Sequence, residues 1–232
     1  SSTTDTTALT TSLLKDDQLI NVVNPSLFAI GDWIQIRQND ISLVTSSWAE
    51  KSVGQILEIT GISGNQITVD SPLRLDVNIT ESPYIQKIEM VENVGVQCLK
   101  IERLDNTAPV HTSSIMMKYA ANCWVNGIES ENCTFSHLEM SNSSNNTVEK
   151  SYFHHAFEYG GGGRAYGVMI QFTSGECLIE NNVFEHLRHS MILQAGANGN
   201  VFAYNYSLDP YWDSSPTNSA GDAVLHGNYP FA

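Results

Sequence analysis

One weak pattern returns three times between residues 145 and 207, and it limits the fold more than any other feature of the chain. It reads NNTVEKSYF from Asn145, ECLIENNVF from Glu176 and GNVFAYNYS from Gly199. In register, Val148, Ile179 and Phe202 share one column. Ser151, Asn182 and Asn205 share another, and Phe153 and Phe184 a third. Looser copies begin at Asn93 and Asn122. The copies recur about every 23 to 31 residues, the range of stacked repeats. Each is a short β-type apolar run followed by polar turn residues, with no helical period. One such unit cannot bury its apolar side alone, whereas stacked units share a continuous interior. The pattern therefore predicts a parallel β-helix, one copy per rung, with equivalent residues about 4.8 Å apart.

Composition agrees. Only 16% of the 232 residues are charged, and Ser, Thr, Asn and Gly are abundant, which suits a turn-rich β protein. The net charge of −14 argues against nucleic acid or an anionic membrane as a partner. No apolar run is long enough to span a membrane as a helix. Cys98, Cys123, Cys133 and Cys177 show no metal-binding spacing. Cys123 and Cys177 fall at one repeat position and read as small inward-facing core residues.

The organisation predicted is a lead-in segment over 1–14, a small β module over 15–87 and β-helix rungs over 88–232. Short strands around Ile34, Ile36, Ile56, Ile59 and Ile67, joined by Gly/Asn turns, point to a small barrel inserted near the N-terminus. Those five isoleucines are expected to form its centre. The stretch from Gly221 reads as the start of a further rung, so the sequence reads as a piece of a longer chain with which it associates.

The segments FAIGDWIQIRQ, SVGQILEITGISGNQITVDSPLR, ENVGVQCLKIERLD, NCWVNGIES, YFHHAFEYGGGGRAYGV and CLIENNVFEHLRHSMILQAGANGNVFAYNYS resemble the pectate-lyase-like superfamily of right-handed parallel β-helices. They are most similar to large secreted bacterial proteins that carry a C-terminal sorting domain. The resemblance implies an all-β fold, an extracellular or cell-surface location and a polysaccharide partner. It does not imply one reaction, because the scaffold hosts lyases, hydrolases, epimerases and inert adhesins.

Past the strong copies, the same register puts His155, His186 and Asp209 in one column and Glu158, His189 and Trp212 in another. Phe157, Arg188 and Tyr211 lie between them. Stacked rungs would gather these on one side of the β-helix. His155, His186, His189, Asp209, Arg188 and Glu158 are thus the candidate catalytic residues: a His near its working pKa as base, a carboxylate or Tyr as acid, an Arg as anion neutraliser. Arg164, Tyr159, Tyr166, Tyr211 and Trp212 are the candidate substrate-binding residues. Arg164 follows four glycines that let a ligand approach the backbone. Lyase chemistry would use Arg, His and Tyr. A hydrolase needs two carboxylates, for which Glu158 and Asp209 are the available pair. No metal ligands are assigned. Calcium is the cofactor an acidic chain handling an acidic polymer would use, with Asp209, Asp213 and Asp222 as oxygen donors. The other class of function is a non-catalytic adhesin, stalk or filament module. A groove with converging His, Arg and carboxylate groups would favour the enzyme, and a flat Ser/Thr/Asn face the spacer.

Overall fold

The computed structural model describes residues 5–213 and 221–226. The first part of the expected lead-in segment (1–4), and the second half of the stretch read as a further rung (227–232), lie outside the described residues. The fold is all-β: a right-handed parallel β-helix with a small β barrel before it.

The barrel is a six-stranded antiparallel sheet in the order Thr6–Ala8, Tyr84–Ile88, Trp33–Arg37, Gly54–Ser63, Gln66–Val69, Leu19–Asn21. A bridge between Leu9 and Val22 joins its two edges. Closure leaves no open edge to pair with another chain. The Thr-rich lead-in supplies a strand because β-branched residues fit a pleated surface, and Leu9 and Leu13 are buried in the barrel. Ile34, Ile36, Ile59 and Ile67 meet in its centre. Ile56 does not. Successive strand residues face opposite ways, so Leu57 points inward while Ile56 packs outside with Trp33, Ile88 and Ala121, against the β-helix.

Among the described residues five rungs follow, each contributing a strand to three parallel sheets. The first sheet contains Gly95–Gln97, Trp124–Asn126, Thr147–Glu149, Leu178–Glu180 and Val201–Ala203. The second contains Lys100–Glu102, Glu129–Cys133, Tyr152–Ala156, Val183–Glu185 and Tyr206–Leu208. The third contains Ile115–Lys118, Ser136–Ser141, Tyr166–Gln171, His189–Gln194 and Ala223–His226. The described part of the last stretch therefore completes the fifth rung.

The interior follows the repeat. Val148 pairs with Ile179 and Ile179 with Phe202. Phe153 stacks on Phe184, centroids 5.5 Å apart. Val148 and Ile179 are fully buried, while Phe202, on the last of these rungs, is only partly so. Cys123 and Cys177 are free and buried, and burial pushes the Cys177 thiol up to about 12. Asn side chains tie rung to rung. Asn182 Oδ1 accepts from Ser151 N and Asn205 Oδ1 from Asn182 N, each at 3.0 Å.

Corners are turned by left-handed backbone. Between the first and second sheets Cys98, Gly127, Lys150, Asn181 and Tyr204 all have positive φ. At the end of the second sheet Asn132, His155, His186 and Asp209 do the same, at 50° to 58°.

The barrel sits on the corner between the third sheet and the first. Arg74 is the clamp: Nη1 lies 2.7 Å from Glu176 Oε1 and Nε donates to Asn198 Oδ1 at 2.6 Å. Gly175 and Gly199 make room for it, since a Cβ on either would lie 2.6 or 2.5 Å from the guanidinium. Gln35 to Asn142 and Thr173 to Ser52 complete the seam.

Candidate functional site

The second corner brings part of the predicted constellation together. His155 and His186 lie on successive rungs and stack, centroids 5.2 Å apart. His186 Nδ1 is 2.6 Å from Asp209 Oδ2. Tyr211 stacks on the other side of His186 at 4.6 Å, and Tyr159 meets both rings edge-on at 4.9 Å. A carboxylate can only accept from imidazole, so Asp209 holds the proton of neutral His186 on Nδ1 and leaves Nε2 as the basic nitrogen. Partial burial raises the Tyr159 pKa, so its hydroxyl stays protonated. The corner thus offers an oriented base between two tyrosine rings, with the Tyr159 hydroxyl accepting from Ala156 N at 2.8 Å.

His155 is placed from beneath. The fully buried His137 spans Ser130 Oγ (2.8 Å) and the His155 carbonyl (3.0 Å). Burial lowers the His137 pKa to about 3, so it stays neutral there. On the outer side, His154 Nδ1 is 2.9 Å from His155 Nδ1, and His154 Nε2 is 3.3 Å from Glu129.

The second predicted column does not form. Tyr152 pairs with Val183, but Tyr166, not Glu158, pairs with His189. The loop of the third rung, with its four glycines, is longer than that of the fourth, and the register restarts after it. Glu158 instead pairs with Arg164 and accepts from Asn106 Nδ2 at 3.0 Å. It has no role beside Asp209, so the expected carboxylate pair is split. His189 is buried, stacks on Tyr166 at 5.4 Å and donates through Nδ1 to Gly221 O. It is not part of the corner.

Arg188 and Tyr166 line a neighbouring cleft of about 740 Å³ over the outer face of the third sheet, and Trp212 packs on Arg188. The Arg188 guanidinium lies 4.3 Å from the Trp212 ring centre and 5.7 Å from that of Tyr166. Burial raises the Tyr166 pKa, against the pull of Arg188. Phe135 packs on Tyr166 and His111 on Phe135. The far wall comes from the barrel: Trp48 meets Phe172 edge-on at 6.0 Å. The floor carries a polar chain. Gln194 Nε2 donates to Gln171 Oε1 (2.6 Å), Gln171 Nε2 to Glu139 Oε1 (2.7 Å), and Ser113 Oγ to Glu139 Oε2 (2.8 Å). The glycine loop is the partition between cleft and corner. Tyr159 leans on His186, Gly160 O accepts from Arg188 Nη1 at 3.2 Å, and Gly163 lies against Phe135 and His111.

Trp48, His111, Glu139, Gln171 and Gln194 were not among the predicted residues. Gln171 and Gln194 had a signal, because YGVMIQ and HSMILQ each end a third-sheet strand in Gln. Trp48 had none, since its place in the cleft depends on how the barrel docks.

The calcium donors do not assemble. Asp209 faces His186, Asp213 accepts from Tyr159 N, and Asp222 accepts from Ser207 Oγ. Among the described residues Glu129, Glu131 and His154 do converge on one point. The Lys100 ammonium fills it, 3.0 Å from Glu129 and 2.6 Å from Glu131, and holds both carboxyls below their usual range. Among the described residues no helix is long and apolar enough to cross a membrane.

No protein-family model matches the chain. Over 106 residues, 46% of its length, it is 30% identical to a capsule K1-specific depolymerase of Klebsiella phage K64-1; the match spans 12% of that protein. Among solved structures it is similar to the tailspike Gp54 of Acinetobacter baumannii bacteriophage AP22, determined in complex with A. baumannii capsular saccharide. That match has a TM-score of 0.44 at 11% identity and covers 89% of this chain and 46% of the tailspike. The tailspike gp49 of Pseudomonas phage LKA1 matches with a TM-score of 0.48 at 12% identity, over 87% of this chain and 42% of that one. The chain thus spans less than half of each of these proteins.

Proposed function

We propose that this chain is the β-helical part of a protein that binds and cleaves a bacterial capsular polysaccharide outside the cell. The observation that carries the reading is the cleft, with rings from three separate parts of the chain around a polar floor: Trp48 from the barrel, His111 from the loop between Lys100–Glu102 and Ile115–Lys118, and Tyr166 from the rungs. Aromatic faces over polar donors and acceptors suit a glycan, whose rings have apolar faces and hydroxyl edges. The aligned depolymerase acts on capsule, and it is a phage protein. That supports a spike meeting the capsule from outside, in place of a secreted bacterial protein with a sorting domain.

In this reading the glycan lies in the cleft and crosses the glycine loop, so that one linkage reaches the corner. Neutral His186, oriented by Asp209, is the base, and Tyr159 or Tyr211 supplies the proton to the departing oxygen. Arg164 and Glu158, paired with each other across the glycine loop, lie on the loop that the glycan crosses. Elimination is favoured over hydrolysis because hydrolysis needs a facing carboxylate pair, whereas at the corner Asp209 is engaged by His186 and Glu158 by Arg164.

The test is incubation of the protein with a panel of purified capsular polysaccharides, following reducing ends and unsaturated products separately. Unsaturated product from an accepted polymer is expected. Reducing ends without unsaturation would replace elimination by hydrolysis. Binding without either product would favour the adhesin or stalk.

A further inference from the structure

Arg188 is 9% exposed, yet among the described residues it has no carboxylate partner. A guanidinium taken out of water without a counter-charge is costly, and the more notable in a chain of net charge −14. Glu139 is engaged by Ser113 and Gln171, and Glu158 by Arg164. What holds the charge in place is two aromatic faces, Trp212 and Tyr166, a cation–π arrangement, together with the Nη1 hydrogen bond to Gly160 O; Nε is left without an acceptor.

A second observation lies beside it. Arg188 Nε and Trp212 Nε1 are both buried donors without an acceptor. Buried donors are almost always satisfied. Two adjacent orphans on stacked side chains, one of them cationic, define the missing group as an acceptor of negative charge.

We propose that Arg188 and Trp212 form the docking point for a carboxylate on the glycan. This rests on the functional reading above and narrows the substrate to a polymer containing an acidic sugar such as a hexuronate. A carboxylate suits the pair because its two in-plane oxygens can accept from both N–H groups at once. The two N–H groups are closed to solvent as the rings stand, so the indole slides off the guanidinium as the anion enters. Arg188 also donates to Gly160 O, which couples the docked carboxylate to the loop that carries Tyr159.

The test is a titration of the whole ¹⁵N-labelled chain with glucuronate, glucose, acetate and a sulfated glucose, and then with the panel of capsular polysaccharides, at constant ionic strength. The Arg188 Nε–H and the indole signals of Trp212 and Trp48 are followed by NMR. Glucuronate and acetate are expected to move both Arg188 and Trp212, and glucose neither. Arg188→Lys keeps the charge but removes the Nε–H, and is expected to weaken glucuronate at least tenfold. Trp212→Phe keeps a ring but no N–H, and is expected to weaken it several-fold. Equal responses to glucose and glucuronate, or none to glucuronate and acetate, would overturn the docking point; these come from the unmodified protein and do not depend on a variant folding. A stronger response to the sulfated sugar would overturn the carboxylate assignment. If acetate moves the pair but no polysaccharide moves Trp48, the functional reading fails and the anion point stands.

Discussion

His155 and His186 stack across two rungs with their ring planes 29° apart, and each is held by a different partner: His154 for the first, Asp209 for the second. Neighbours in one column thus have different chemistry, because the groups beside them differ.

His186 is expected to be the residue whose loss is most costly to turnover. His186→Ala should lower product formation by about 10²- to 10⁴-fold, the usual contribution of a positioned base. Asp209→Asn should lower it less, since the base survives with its tautomer no longer fixed. Circular dichroism should be unchanged in both. Full activity of His186→Ala on an accepted polymer would remove the corner from the mechanism.

Buried His137 makes stability depend on pH. Its folded pKa of about 3 lies below the ordinary 6.5, so between these values the unfolded chain binds a proton that the folded chain does not. Stability is complete above about pH 6.5 and falls as pH drops toward 3, by at most about 1.4 kcal/mol per unit. Urea midpoints for His137→Gln should vary less over this window than those of the parent chain. Parallel curves would show that other groups govern acid stability.

Trp48 ties the barrel to the cleft. Trp48→Ala should weaken glycan binding by about tenfold, in the range of a lost aromatic anchor, while Trp48→Phe should retain most of it. Arg74→Ala acts at a distance by loosening the clamp to Glu176 and Asn198, and should give a similar loss without touching the ligand. Isothermal titration of the three variants would check this; unaltered affinity in Arg74→Ala would mean that the barrel is held without it.

Ile179→Asp should unfold the rungs, because an unpaired charge in this interior costs at least several kcal/mol. A thermal midpoint near that of the parent would contradict the stacked core.

The rungs were legible because their pattern is local: an apolar column, an amide column and a turn, repeated where the backbone repeats. Val148, Ile179 and the Asn182–Asn205 ladder needed nothing more. The same register brought His155, His186 and Asp209 together correctly, since no insertion separates them from their strands. It failed one loop later. The glycines after Tyr159 add length to one rung only, and a column drawn across them put Glu158 opposite a histidine that in fact pairs with Tyr166. The cleft was the least legible part. Trp48 and Phe172 are far apart in sequence and meet only because Arg74, Gln35 and Thr173 seat the barrel on one corner. Ile56 shows the same limit: alternation said that it was buried, but not which side would bury it.

The left-handed corners have a consequence for how such a protein diversifies. At the end of the second sheet the chain turns at Asn132, His155, His186 and Asp209 with nearly the same φ. That backbone state costs an ordinary L-residue about 1–2 kcal/mol, a toll met by the ladders on either side whatever the side chain is. The side chains there are accordingly interchangeable parts on a fixed frame. An amide, an imidazole or a carboxylate can occupy the position without re-routing the chain, so the chemistry of this edge can be rewritten one rung at a time while the scaffold stays the same.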